Sequence, residues 1–135
     1  MKPKLLLVDD DRAALYALRE ALGELPAQLH VAESGEEALR LVLRHQFAAI
    51  LLDVRLPNMD GFEVAAAIRS VERLSHTPIV FMSAIEDRRR QPRAGAEDYL
   101  RKPLVLDLVR SKLLALLRAD QLSLQRPPAE PRPGA

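Results

Sequence analysis

The sequence predicts an α/β fold: a doubly wound, five-stranded parallel sheet with helices on both faces. Three observations carry that expectation. Short apolar runs alternate with longer stretches of helical period along residues 4–118. The run at 48–52 is continuously apolar, as in a strand buried on both faces. The order strand then helix repeats five times, which calls for parallel strands joined by right-handed crossovers.

Lys4–Val8 reads as a buried strand that runs into Asp9-Asp10-Asp11. Arg12–Leu25 follows with apolar residues at Ala14, Leu15, Leu18, Ala21, Leu22 and Leu25, which is helical spacing, and Pro26 ends it. Leu29–Ala32 is a short second strand. Ser34 and Glu37 offer a capping box for a helix running to about Arg44. Ala48–Leu52 is the third strand and delivers Asp53. Arg55–Met59 is a loop containing Pro57, and Asp60 with Glu63 forms a second capping box that opens a helix to about Arg73. Pro78–Met82 is the fourth strand, ending at Ser83. Ala96–Leu100 is the fifth, followed by Lys102-Pro103, and Leu104–Arg118 is the last helix.

The helix between the fourth and fifth strands is expected to be short or irregular, one or two turns at most. Eleven residues separate Ser83 from Gly95, they are strongly basic with almost no apolar stripe, and Pro92 forbids a regular helix interior there. Four of the ten prolines fall in 127–135. Residues 1–119 therefore read as one domain and 120–135 as a disordered tail or linker.

Composition narrows the function classes. The chain of 135 residues fits a single domain with a real core. With no cysteine, a disulfide framework and a Cys-based zinc site are excluded. That is compatible with a reducing cytoplasm, the expected location. Lys plus Arg number 20 against 19 Asp plus Glu, so there is no basic footprint for nucleic acid or an anionic membrane. Four apolar residues between Lys4 and Asp9 are too few for a signal peptide or a membrane span. No Gly-x-Gly-x-x-Gly occurs, which counts against a dinucleotide-binding enzyme.

The chemistry-bearing residues fall at the carboxyl ends of predicted strands: Asp9 and Asp10 after the first, Asp53 after the third, Ser83 after the fourth, Lys102 after the fifth. In an open parallel sheet these ends share one edge, where ligands bind. Asp11 also reads as a plain helix N-cap. Clustered carboxylates cannot all stay ionised without a counter-charge. An all-oxygen set calls for a hard cation, Mg²⁺ first, with Mn²⁺ or Ca²⁺ as alternatives. Asp53 is the natural nucleophile toward phosphorus. The cation, Lys102, Ser83 and loop N–H groups would share the charge of a transferring phosphoryl group.

Lys4 to Asp10, Leu51 to Gly61, Met82-Ser83-Ala84, Gly95 to Leu100 and Lys102-Pro103 together resemble the bacterial two-component response-regulator receiver domain across residues 4–118. The resemblance implies a flavodoxin-like sheet of order 2-1-3-4-5. It implies that Asp53 accepts phosphoryl from a histidine kinase or phosphotransfer protein. Asp10 and Asp53, with the backbone carbonyl of Arg55, would ligate Mg²⁺, and Asp9 would act through metal-bound water. Lys102 would pair with the phosphoryl group. Ser83 would move to meet it and Tyr99 would swing inward. The Lys102–Pro103 bond would be cis. Such a chain is a phosphoacceptor with slow self-dephosphorylation, not a turnover enzyme. The alternatives are a receiver that binds its partner without phosphorylation, or the first domain of a larger kinase or output protein. A phosphatase with an Asp nucleophile fits less well, since no cap domain is present.

Two further expectations concern surfaces. Arg55 and Ile85 flank the site and are candidates to set the lifetime of the phosphoryl group. The last helix carries Leu104, Leu106, Leu108, Val109, Leu113, Leu114, Leu116 and Leu117, more than the single stripe a sheet-packed helix needs. That excess suggests a partner surface or a homodimer through this helix.

Overall fold

The structure is a computed structural model that describes residues 2–84 and 97–125. In chain order the elements are β1 (Lys4–Val8), α1 (Arg12–Leu22), β2 (Gln28–Ala32), α2 (Gly35–Arg44), β3 (Ala49–Asp53), α3 (Gly61–Arg69), a 3₁₀ turn (Glu72–Leu74), β4 (Ile79–Ala84), β5 (Glu97–Lys102) and α4 (Leu106–Gln125). All strand pairs are parallel and the order is β2-β1-β3-β4-β5, as expected. The expectation for a short or irregular helix after Ser83 concerns residues 85–94, which lie outside the described residues, as do Ile85 and residues 126–135.

The period-two alternation of each strand builds two cores. Leu6, Val8, Ile50, Leu52, Ile79 and Phe81 face α2 and α3. Leu5, Leu7, Leu51, Val80 and Met82 face α1 and α4, where Leu15, Leu18, Leu22, Val109, Leu113 and Leu117 meet them. β3 is buried along its whole length, which explains why its sequence runs apolar without alternation.

Several boundaries differ from expectation for local reasons. α1 stops at Leu22, three residues early, because Gly23 occupies the cap position; Leu25 still turns back to be buried, its N–H on the Leu22 carbonyl. α3 stops at Arg69 rather than Arg73. Val71 is extended there, the Ser70 hydroxyl donates to the Ala67 carbonyl at 2.6 Å, and the Arg69 guanidinium donates to the Leu74 and Thr77 carbonyls. β5 runs on past Leu100 to Lys102, so that lysine is the last residue of a strand. α4 starts at Leu106 and continues to Gln125, seven residues beyond the expected Arg118, since no stop signal precedes Pro127.

The caps follow the sequence with one change. Asp60 and Glu63 form the full reciprocal box, at 2.9 and 3.2 Å. Ser34 accepts from the Glu37 N–H at 3.1 Å, but the Glu37 carboxylate accepts from the Glu33 N–H at 2.6 Å instead of closing back on Ser34. α2 and α3 approach closely through Gly35: a Cβ there would lie 2.6 Å from Val64 Cγ2 and 3.3 Å from Met59 Sδ.

Gly35→Ala is expected to destabilise the chain by about 1–3 kcal/mol through overpacking, offset in part by the better helix propensity of alanine. Because the obstacle is one side chain, adding Val64→Ala should recover part of that cost. Urea unfolding of both single variants and the double variant measures the coupling; additive costs would show that the contact is relieved elsewhere.

Candidate functional site

The carboxyl edge of the sheet gathers the expected residues. One carboxylate oxygen from each of Asp9, Asp10 and Asp53 lies within 4.8 Å of the other two. Lys102 Nζ reaches in from the end of β5, donating to Asp53 Oδ2 at 2.9 Å and to Asp9 Oδ2 at 3.2 Å. Asp9 and Asp53 are buried, at 1% and 5% exposure, while Asp10 faces solvent. Two of the three acids are thus fixed from behind and the third closes the mouth.

Backbone groups hold the buried pair. Asp9 Oδ1 accepts from the Asp11 N–H at 3.0 Å, and Asp53 Oδ1 accepts from the Arg55 N–H at 3.0 Å. Asp11 itself is the helix cap, its carboxylate taking the Ala13 and Ala14 N–H groups. Arg55 is exposed. The Lys102–Pro103 bond is cis. Asn58 takes a positive φ of 69° in the loop between β3 and α3, a conformation asparagine tolerates better than most residues.

Gly61 is the residue that periodicity does not single out. A Cβ there would lie 2.3 Å from the Asp53 carbonyl oxygen and 2.8 Å from Val54 Cα. Its N–H donates to the Val54 carbonyl at 2.8 Å. Absence of a side chain lets the first turn of α3 seat directly on the backbone that carries Asp53. The available signal was its position just after the Asp60 cap.

Ser83 and Tyr99 stand apart from the charged group. Ser83 is buried at the end of β4, next to Met82, the strand partner of Asp53; its hydroxyl donates to the Ala84 carbonyl at 3.3 Å. Tyr99 lies half-buried on β5, its ring stacked on Phe81 with centroids 5.3 Å apart. It belongs to the α2–α3 side of the sheet rather than to the acidic cluster.

Electrostatics make this an unfinished site. Among the described residues three carboxylates face one ammonium, a formal surplus of two negative charges, with Asp9 and Asp53 buried. Burial raises the Asp9 pKa and the charge of Asp53 adds to the rise; the Asp11 N–H and Lys102 oppose it, and the balance stays above the ordinary carboxylate value. Burial alone would lower Lys102, but the hydrogen bond and charge of Asp53, with those of Asp9, hold it above its usual value, so it is an ammonium at neutral pH. A hard divalent cation fits this donor set, which is all oxygen, compact and short of positive charge.

A family model described as the response regulator receiver domain matches residues 5–114. The chain is 37% identical over 121 residues to the response regulator MprA of Mycobacterium sp. (strain KMS), and 38% identical over 118 residues to that of Mycobacterium leprae (strain TN). These alignments cover 87% and 85% of this chain but 52% and 51% of the relatives, so the chain spans about half the length of the curated relatives it matches. It is similar to a two-component response regulator from Clostridium difficile, with a TM-score of 0.76 at 30% identity, covering 87% of this chain and 97% of that one. It is also similar to the receiver domain of sensor histidine kinase PA1611 from Pseudomonas aeruginosa PAO1, with a TM-score of 0.78 at 29% identity, covering 87% and 99%. That structure has a magnesium ion coordinated in its active site cleft.

Asp9→Asn removes one of two buried like charges and keeps a side chain that can still accept the Asp11 N–H. Since a raised folded pKa means a contribution lost as pH rises through it, the variant should be more stable than the parent at neutral pH without metal, by about 1 kcal/mol. The same variant should gain less from added Mg²⁺. Thermal unfolding with and without the ion checks both halves.

Proposed function

The chain belongs to the response-regulator receiver domain family, and we propose that within two-component signalling it is a phosphoacceptor switch modified on Asp53. The observation that carries this reading is the Asp9–Lys102–Asp53 bridge with Asp10 at its mouth. A nucleophile needs an oxygen with a lone pair to offer, an electrophile held in front of it, and relief for the charge that develops. Asp53 supplies the first from a buried strand, once Lys102 gives up its hold on Oδ2.

Mg²⁺ is the proposed ion, held by Asp10, Asp53 and the backbone carbonyl of Arg55, with Asp9 acting through its hydration shell. When bound, it supplies Lewis-acid stabilisation to phosphoryl oxygens. Mn²⁺ or Ca²⁺ would satisfy the same oxygen donors. The donor is a histidine kinase or phosphotransfer protein: the N–P bond of a phosphohistidine breaks as the Asp53 O–P bond forms. Lys102 then exchanges one partner for another, leaving the carboxylate for a phosphoryl oxygen. Ser83, one residue beyond the strand partner of Asp53, would then exchange its Ala84 carbonyl for the new group. Tyr99 follows, since its ring rests on Phe81 in the same pair of strands. The modification is reversed slowly by water and no small metabolite is turned over.

Output passes to another protein or domain, in keeping with relatives about twice as long. Self-association through α4 is the accompanying proposal, supported by Leu108 and Leu122, exposed at 60% and 62%. Among the described residues, no helix is long and apolar enough to cross a membrane; a cytoplasmic setting is proposed.

Incubation with acetyl phosphate and Mg²⁺ should add one phosphoryl group, seen by intact mass. The gain should vanish in Asp53→Asn and on chelation of the metal. An unmodified parent chain would sink this reading and favour a receiver that binds its partner without phosphorylation.

A further inference from the structure

The opposite rim of the sheet, at the amino ends of the strands, holds a second cluster of ionisable groups that phosphoacceptance does not use. His30 projects from β2 onto the α2 side, in register with Leu6. His45 caps the end of α2, and Phe47 leads into β3. The three rings form a compact set: His30 and His45 centroids are 4.8 Å apart, His30 and Phe47 stand edge to face at 5.5 Å, and His45 and Phe47 are 5.9 Å apart. Lys4 Nζ, from the start of β1, lies 3.0 Å from His45 Nδ1. An ammonium can only donate, so in this contact Lys4 is the donor and His45 Nδ1 the acceptor.

We propose that His30, His45 and Lys4 form an acid-sensitive latch that seats the outer strand β2 and the end of α2 on the sheet, and that protonation of His30 releases it. His30 Nε2 is buried with no hydrogen-bond partner. A neutral imidazole tolerates this, packed against aromatic rings. An imidazolium does not, because its second N–H would have neither water nor an acceptor. Among the described residues, the charges that act on His30 are those of Lys4 from β1 and His45 at the cap of α2, both of which disfavour a further proton. Burial is the larger influence, the two bases add to it, and all three hold His30 below the ordinary histidine value.

The sign follows directly. A histidine whose folded pKa is depressed leaves the fold at full stability above the unfolded value of about 6.5, and stability is lost as pH falls below it. β2 is the element exposed to that loss. It sits at the edge of the sheet and pairs with β1 alone. Its release would not break β3 or β4.

The test uses the full chain. An NMR titration of the three histidine imidazoles should find His30 protonating below the ordinary value, and Lys4→Met should move it upward. Between about pH 7.5 and about pH 5.5 the unfolding constant of the parent should rise more than that of His30→Phe, with a ceiling of about tenfold set by the unfolded value. Amide protection factors, corrected for the intrinsic pH dependence of exchange, should fall in acid more at Leu29–Ala32 than at Ala49–Leu52. His30 titrating at or above the ordinary value overturns the latch, as does an equal acid sensitivity in His30→Phe. If that variant does not fold, the parent titration and the exchange pattern decide the matter.

Discussion

Lys102 Nζ bridges Asp9 and Asp53 across the carboxyl edge, 3.2 Å from one and 2.9 Å from the other, and the rest of that edge is arranged around this contact. Two largely buried carboxylates share one ammonium, with Asp10 adding a third negative charge outside. A cluster with that imbalance is costly to fold and receptive to cations. The scaffold carries the cost because the two strands bearing the buried acids are among the most deeply packed elements of the chain, their neighbouring side chains excluded from water on both faces. A local electrostatic cost is thus supported by a well-packed core.

Parallel topology converts sequence distance into proximity. Asp9 and Lys102 are 93 residues apart and Asp53 and Lys102 are 49 apart, yet all three meet because each ends a parallel strand or follows its end directly. That logic was visible in the residues alone. Apolar runs located the strands, polar residues followed them, and the sheet rule put those polar residues on one edge. The same logic put Ser83 near the carboxyl end of β4, while local capping patterns marked Asp11 and Asp60.

Other features were not legible because they depend on contacts between elements. The end of α3 is set by an Arg69 guanidinium reaching the Leu74 and Thr77 carbonyls, a decision no periodicity encodes. Glu37 serves the Glu33 N–H rather than that of Ser34, a choice of partner one residue away that the capping pattern does not distinguish. Gly61 reads as an ordinary helix start until the Asp53 carbonyl is seen where its side chain would stand. The apolar surplus of the last helix resolves partly into packing: Val109, Leu113 and Leu117 are buried, whereas Leu106, Leu108 and Leu122 remain exposed.

The length of α4 has a mechanical side. Its 20 residues span about 30 Å, whereas a strand of five covers roughly 17 Å. Beyond Leu117 none of the residues as far as Ser123 is buried, yet the last turns stay against the body: Arg118, Gln121 and Leu122 line one cleft with Pro3 and Pro26, and Ala119, Asp120 and Ser123 line another with residues 46–48 and 76–78. The other end of the helix starts four residues after Lys102. One rod thus joins the turn behind the lysine to the opposite rim of the sheet.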